Sequence, residues 1–474
     1  MDTIQKLAKN TLALFAGQII NSVLSILLSI SLARNLGDVV LGKYSFATSF
    51  TAFFAVFWEL GYNTLLIREV ARNKSLAGSY LNNILSIRAI LSVLVITFMV
   101  LIINIMGYPT DTKIVVYIFS FYMALVSLSD IFKVTFRAFE KMEYEAGIKI
   151  FVNIIRISCG LLVLFLGYGL IELALVFLFS GIFEFLLSFL ICEKKFIKSK
   201  TEFDFNFWKK SFKIALPLAM LSFFHIIFVR VDIIMLSIMK GDAIVGWYGA
   251  AYGLTYGFKP LPQIFMNALL PLIAYYHVSS KKSLKIAYER SFKYLLILGL
   301  PLAFGTTLLA DRIIILLYGQ QFSNSIIALQ ILAWDVLLIF LYTCSAFIIV
   351  SIDEQNKMAI IAGCTALINV VINLILIPEY SYVGAAIATI VAESFLLVSY
   401  TYIISRHLYI LPVHKMILKP VIACIVMVLF IYLFGGINLI LLILISVILY
   451  FGVLFLLKEF SSEELHMFKK LIKR

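Results

Sequence analysis

The chain has 474 residues, 62% of them hydrophobic and 14% charged, with a mean hydropathy of +1.04. A soluble globular protein carries about 25% charged residues, so these values exclude that class and point to an integral membrane protein. The formal charge of +13 fits basic loops facing an anionic leaflet better than a nucleic-acid ligand.

Apolar stretches of about 20 residues divide the sequence into about fourteen candidate membrane spans. The first, at about 11–33, is followed by no small-residue cleavage pattern and reads as a retained span rather than a signal peptide. Spans two to six follow at about 44–66, 84–106, 114–136, 148–167 and 170–192. The longest connection, 193–213, is basic, with Phe203, Phe205, Phe207 and Trp208 interleaved. That composition suits an interfacial segment joining two lobes. Spans seven and eight are expected at about 212–239 and 244–274, and the last six at about 292–310, 326–350, 358–377, 383–404, 414–434 and 436–457. The fold class is therefore an all-α polytopic membrane protein.

Most of the 39 lysines and arginines lie on alternate connections. One side holds Lys6 and Lys9, the segments 68–74, 137–149, 194–213 and 281–293, Lys357, the segment 406–419 and the tail from Lys458 to Arg474. The other side holds only Arg34, Lys43, Lys113, Lys240 and Arg312. The positive-inside rule then places both termini in the cytoplasm of a plasma-membrane protein. The opposite connections are short and the chain has no D-x-D motif, which argues against a membrane glycan polymerase, ligase or glycosyltransferase. No enzyme activity is expected. Five cysteines lie singly in apolar stretches, with no C-x-x-C and no histidine at metal-ligand spacing. Neither a metal nor any other cofactor is expected. His225 is the one histidine well inside a span, either packed among Phe223, Phe224 and Phe228 or a proton site.

An internal repeat organises the chain. Residues 37–44 and 241–248 both read G-D-x-x-x-G-x-Y, six spans apart. An even number of intervening spans gives a parallel repeat about an axis along the membrane normal. Gly37 to Lys43 also matches the opening of a phosphate-binding P-loop. Tyr44 stands where the Mg-binding Ser or Thr should be, no strand precedes it, and the second copy has Trp247 in place of Lys43. Both copies read instead as Gly-framed helix–helix turns, and no ATPase is expected.

The stretch Leu32-Ala33-Arg34-Asn35-Leu36-Gly37, then Gly42-Lys43-Tyr44-Ser45, resembles the opening of polysaccharide-export flippases. Leu60-Gly61-Tyr62 with Arg68-Glu69-Val70-Ala71-Arg72 is similar to the same family, as are Tyr318 to Phe322, Leu329 to Leu332 and Val383 to Thr389. These flippases belong to the multidrug/oligosaccharidyl-lipid/polysaccharide exporter superfamily, and the likeness runs over nearly the whole chain. It implies two six-helix lobes around a central cavity, here 1–200 and 201–410, with two additional helices and a basic tail in 411–474. It implies translocation of a polyprenyl-diphosphate-linked oligosaccharide between leaflets by alternating access. The implied partners are that substrate, membrane lipids and a glycan polymerase or glycosyltransferases of the same pathway. The alternative within the superfamily is a drug antiporter coupled to Na⁺ or H⁺.

Moving a diphosphate across about 30 Å of hydrocarbon calls for cations inside spans. Arg230 in span seven, Lys259 in span eight, Arg156 in span five and Arg88 in span three are the substrate-binding candidates. Arg88 is near enough to a span end to snorkel to the interface instead. Lys133 follows Asp130 by three residues and is expected to pair with it. Asp232, Glu393, Asp335, Glu184 and Glu59 are candidates for ion or proton coupling, or for neutralising those cations. Gly249, Gly253 and Gly257 favour close helix approach. Pro260 and Pro262 favour a kink beside Lys259, which either shapes a static cavity or bends during transport.

Overall fold

The computed structural model describes residues 3–460, with side chains from Ile20 onward except 217, 218 and 221. Lys6, Lys9, Lys469, Lys470, Lys473 and Arg474, which bear on the expected orientation of the termini, lie outside the described side chains. All regular structure among the described residues is helical. Only a helix satisfies every backbone N–H and C=O within one span of hydrocarbon. The order is α1 Thr3–Phe53, α2 Ala55–Glu59, α3 Tyr62–Arg72, α4 Ala77–Ile105, α5 Thr110–Ala138, α6 Met142–Phe165, α7 Leu170–Lys195 and α8 Phe205–Lys240. It continues with α9 Asp242–Tyr256, α10 Pro260–Ser279, α11 Lys281–Leu308, α12 Ala310–Tyr318, α13 Ser325–Ser351, α14 Gln355–His407, α15 Val413–Leu433 and α16 Leu439–Leu456.

Among the described residues, eleven helical segments are long and apolar enough to cross a membrane. Two of these, Ile20–Arg72 and Gln355–His407, each contain two expected spans, and span eight is divided between α9 and α10. All fourteen expected spans are thereby recovered. The breaks inside the two long segments lie at Gly37 (φ 87°, ψ −178°) and Ser381 (φ 54°, ψ −134°). Gly241, the counterpart of Gly37 in the repeat, has φ 90° and ψ 177°. The repeat is therefore one of backbone geometry, in a region that glycine alone enters without strain.

Two expected spans are interrupted. Span two is broken at Phe54 and again at Leu60–Gly61, where both residues are left-handed (φ 41° and 76°). Gly61 makes that turn affordable, and the Leu60 N–H closes the preceding turn on the Val56 carbonyl at 2.9 Å. Span eight breaks after Tyr256. The Phe258 and Lys259 N–H groups fall back on Thr255 and Tyr256 at 3.1 Å each, and α10 starts at Pro260, which has no N–H to continue the helix. The kink expected from Pro260 thus places Lys259 in the break itself.

The chain forms two compact units, Met1–Pro260 with Lys357–Ala388, and Leu261–Asn356 with Thr389–Arg474. In the first, α1 packs on α9, α6 and α8, while α5 packs on α7 and α4. A core of Tyr62, Leu65, Leu81, Phe132 and Phe136 sits among α3, α4 and α5. In the second, α11 packs on α13 and α15. The Tyr450 hydroxyl of α16 donates to the Ile297 carbonyl at 2.8 Å, and Arg312 donates to the Gly435 and Ile437 carbonyls at 2.7 Å each. Lys293 and Lys419 both pair with Glu459. Polar ties of this kind hold helices together where lipid removes any hydrophobic incentive to associate.

Candidate functional site

The two repeat copies meet at the end of the first unit that is poor in lysine. A methyl group on Gly42 would collide with the Asp242 carbonyl, and one on Gly246 would collide with the Asp38 carbonyl. The contact is reciprocal, each glycine admitting the backbone of the other copy. Around it, Trp247 Nε1–H donates to Asp38 Oδ2 at 2.8 Å and Lys43 pairs with Asp111. Tyr108 stacks on Phe46 at 4.5 Å and shares a 2.8 Å hydrogen bond with Ser237. Lys240 donates to the Pro378 carbonyl at 2.7 Å. Burial pushes the Tyr108 phenol up to about 12. Burial also holds the Asp242 carboxyl above the usual range, with Lys43 opposing and Asp111 reinforcing that rise.

Along α9, a Cβ on Gly249 would come within 2.7 Å of Ser45 Oγ, and one on Gly257 within 2.7 Å of Ile26 Cδ1. Close approach to α1 is thus made at those two glycines. Gly253 lies between them on the same face, yet a Cβ there would meet nothing within 4 Å, so the expected contact is not made at that position.

Three of the four candidate cations share one neighbourhood. Arg156 on α6 donates to the Tyr122 hydroxyl, and its guanidinium lies 5.6 Å from the Tyr122 ring centre and 5.4 Å from that of Phe177. Tyr44 of α1 interacts electrostatically with both Arg156 and Arg230. His225 of α8 interacts with both Arg230 and Lys259, and Lys259 Nζ lies 3.5 Å from His225 Nε2 and 4.8 Å from the Tyr256 ring centre. Arg156, Arg230 and Lys259 are each only partly buried, and none of them forms an ion pair among the described residues.

Arg88 is different. It is 1% exposed, with Nη1 donating to the Ser127 carbonyl and Nη2 to Asn63 Oδ1, both at 2.6 Å. It does not snorkel, because α3 and α5 close over it and supply those acceptors. Through these two bonds Arg88 of α4 fastens α5 and α3 together.

Lys133 pairs with Asp130 as expected (2.7 Å) and also with Glu184 (2.5 Å). Glu184 thus neutralises a buried lysine. Glu59 is partly buried and electrostatically linked to Arg88 and Arg137. Asp335 on α13 and Glu393 on α14 are buried in the second unit. Asp232 stands in a polar node of its own. Its carboxylate accepts from Tyr248 at 3.0 Å and from Asn373 Nδ2 at 2.6 Å, and Asn373 Nδ2 also reaches Asn369 Oδ1 at 3.2 Å. Among the described residues, the buried Asn373 Oδ1 and Asn369 Nδ2 have no hydrogen-bond partner, a cost accepted in few places in a protein.

The sequence places Tyr44 in the repeat but not at a binding site, and it does not single out Tyr122, Phe177 or the amides Asn369 and Asn373. The amides were detectable in principle, as two asparagines one helical turn apart in an apolar run. The aromatic cradle was not, since its members come from α1, α5 and α7.

The capsular polysaccharide biosynthesis protein CapF of Staphylococcus aureus is 23% identical over 415 residues, covering 84% of this chain and all of CapF. The probable low-salt glycan biosynthesis flippase Agl15 of Haloferax volcanii is 21% identical over 396 residues, covering 81% of this chain and 80% of Agl15. Among solved structures, the lipid II flippase MurJ in an inward closed conformation matches with a TM-score of 0.78 at 18% identity, over 97% of this chain and 100% of MurJ. At that identity the likeness shows the fold. The family model described as polysaccharide biosynthesis protein matches residues 7–277, more than half of the sequence, and the chain belongs to that family.

Proposed function

We propose that the chain is a flippase that carries a polyprenyl-diphosphate-linked oligosaccharide from the cytoplasmic to the outer leaflet of the plasma membrane by alternating access. One observation carries this reading. Arg156, Arg230 and Lys259 lie within spans, around Tyr44 and His225, with no carboxylate partner among the described residues. Such a cation at mid-membrane costs about 2.5–3.5 kcal/mol by insertion scales. Three of them together call for an anion that arrives from outside the protein. A diphosphate fits, because it takes several charge-assisted hydrogen bonds at once. The likeness to proteins of capsular polysaccharide, glycan and lipid II handling supports the same substrate class.

In this reading the lysine-rich end is cytoplasmic, both termini lie there, and the Gly42–Gly246 contact seals the outer end. The lobes are 1–200 and 201–410, with 411–474 appended. The chain moves its substrate without making or breaking covalent bonds. Asp232, with the amide oxygens of Asn369 and Asn373, offers hard oxygen donors suited to a small coupling cation or a proton. The test is a proteoliposome assay with a fluorescent polyprenyl-diphosphate oligosaccharide. Arg156→Gln, Arg230→Gln and Lys259→Gln should each slow flipping at least about tenfold, one missing charged hydrogen bond being worth that much. Undiminished flipping in the triple variant rejects the assignment, and export of a cationic dye in its place favours the drug-antiporter alternative.

A further inference from the structure

Where α8 begins, the first unit has a cavity of about 360 Å³ lined by Leu60, Tyr62, Ile87, Leu91, Trp208 and Phe212, with Lys209 and Lys213 at its mouth. The break at Leu60–Gly61 shapes one wall. The opposite wall is held firmly. Asn83 Oδ1 accepts from the Asp204 N–H at 3.0 Å and from Trp208 Nε1–H at 3.1 Å, while Asn82 Oδ1 accepts from the Lys200 N–H at 2.8 Å. The Ser211 hydroxyl, one residue before Phe212, donates to the Trp208 carbonyl at 3.1 Å. Trp208 and Phe212, four residues apart, share one face of α8. Lys209 and Lys213 share the adjoining one, exposed and with no ion-pair partner among the described residues.

We propose that this groove is a binding site for an anionic phospholipid, with one acyl chain in the apolar slot and the headgroup phosphate between Lys209 and Lys213. Charge complementarity selects that occupant. The walls bring no carboxylate to the two ammonium groups, and a zwitterionic lipid would place its own cation against them. Depth agrees as well, since Trp208 is an amphipathic aromatic of the kind found at membrane interfaces, and the exposed Phe203, Phe205 and Phe212 beside it give the segment an apolar face. An apolar slot, half aliphatic and half aromatic, with a paired-cation rim has the parts of a lipid site rather than of a free-phosphate site, which would need no slot. The bound lipid would bridge α4 to the start of α8, staking down the long connection between α7 and α8. This inference does not depend on what the protein transports.

Native mass spectrometry of the full-length chain in detergent tests it, titrating phosphatidylglycerol against phosphatidylcholine. We expect one phosphatidylglycerol to bind at least about tenfold more tightly than phosphatidylcholine, two lysines at a membrane surface supplying that preference. Lys209→Gln/Lys213→Gln should bring the two lipids level. Lys281→Gln/Lys282→Gln, in a basic segment elsewhere, should leave the preference intact. Leu91→Trp should weaken both lipids by filling the slot, with circular dichroism confirming the fold. Retained preference in the Lys209/Lys213 variant, or equal loss in the Lys281/Lys282 variant, overturns the proposal. So does displacement of the lipid by millimolar inorganic phosphate, or by an equimolar polyprenyl phosphate, which would make the groove a free-anion or a substrate site.

Discussion

Alanine at Gly42 or Gly246 should loosen the lysine-poor end of the first unit. A glycine-to-alanine change inside a helix ordinarily stabilises it by about 0.5–1 kcal/mol, since glycine loses more freedom on folding. Here the sign should reverse. Each new methyl meets backbone, Asp242 carbonyl in one case and Asp38 carbonyl in the other, and backbone cannot swing aside as a flexible side chain can. Overpacking of this kind costs about 1–3 kcal/mol, which as a shift between closed and open states is roughly 5- to 150-fold. The two contacts are reciprocal, so the costs should not add. Once one methyl has parted α1 from α9, the second finds its clash partly relieved, and the double variant should cost less than the sum. Gly253→Ala is the internal control, because it points into open space and should be neutral or stabilising. Electron–electron distance measurements between spin labels at the exposed Val39 and Ile238 would report the separation. An unchanged distance distribution in both single variants, or strict additivity in the double, would refute the reciprocal-contact argument.

Two further outcomes follow from buried charge. Lys133→Met strands Glu184 and Asp130 against each other and should destabilise the protein by about 3–5 kcal/mol in thermal unfolding, whereas Glu184→Gln leaves Lys133 with Asp130 and should cost less; the reverse order would contradict the triad. The Asp242 carboxyl is held above its usual range in the closed end, by burial first. Closure is therefore favoured fully below the ordinary carboxyl range and loses that advantage as pH rises through the elevated value. Asp242→Asn should remove this pH dependence from the same spin-label distance, and an unaltered profile in that variant would exclude Asp242 as its source.

The architecture was legible because the periodicity of lipid burial is coarse. Twenty apolar residues in a row need no knowledge of neighbours, and glycines at 37 and 241 announce their turns by type. What stayed hidden depends on which faces meet. Span two reads as continuous because Leu60 is unremarkable in sequence, and only the fold shows it left-handed beside Gly61. Arg88 and Arg156 look alike as intramembrane arginines. One is enclosed by Asn63 and the Ser127 carbonyl, the other opens onto Tyr122 and Phe177. The difference is made by residues several helical turns or a whole span away in sequence. Lys133 was partly readable, since Asp130 lies one turn off, but Glu184 arrives from α7 and leaves no local signal.

Arg230 and Asp232 are two residues apart on α8, about 200° round the helix and about 3 Å along it. They therefore face different surroundings, Arg230 towards Tyr44 and His225, Asp232 towards Tyr248 and Asn373. A rigid helix cannot turn one without turning the other. If a cation or proton at Asp232 draws α8 towards Asn369 and Asn373, the position of the Arg230 guanidinium changes with it, and linkage requires the reverse effect of equal size. Binding of a soluble diphosphate to the purified protein, measured by calorimetry across Na⁺ concentration and pH, should depend on one of these in the unmodified protein. Asp232→Asn should keep the hydrogen bonds from Tyr248 and Asn373 within reach while abolishing that dependence, and Arg230→Gln should weaken the diphosphate without abolishing cation binding. Should Asp232→Asn leave the dependence whole, the two sites are not joined through α8, and the coupling carboxylate must be sought at Asp335 or Glu393 in the second unit.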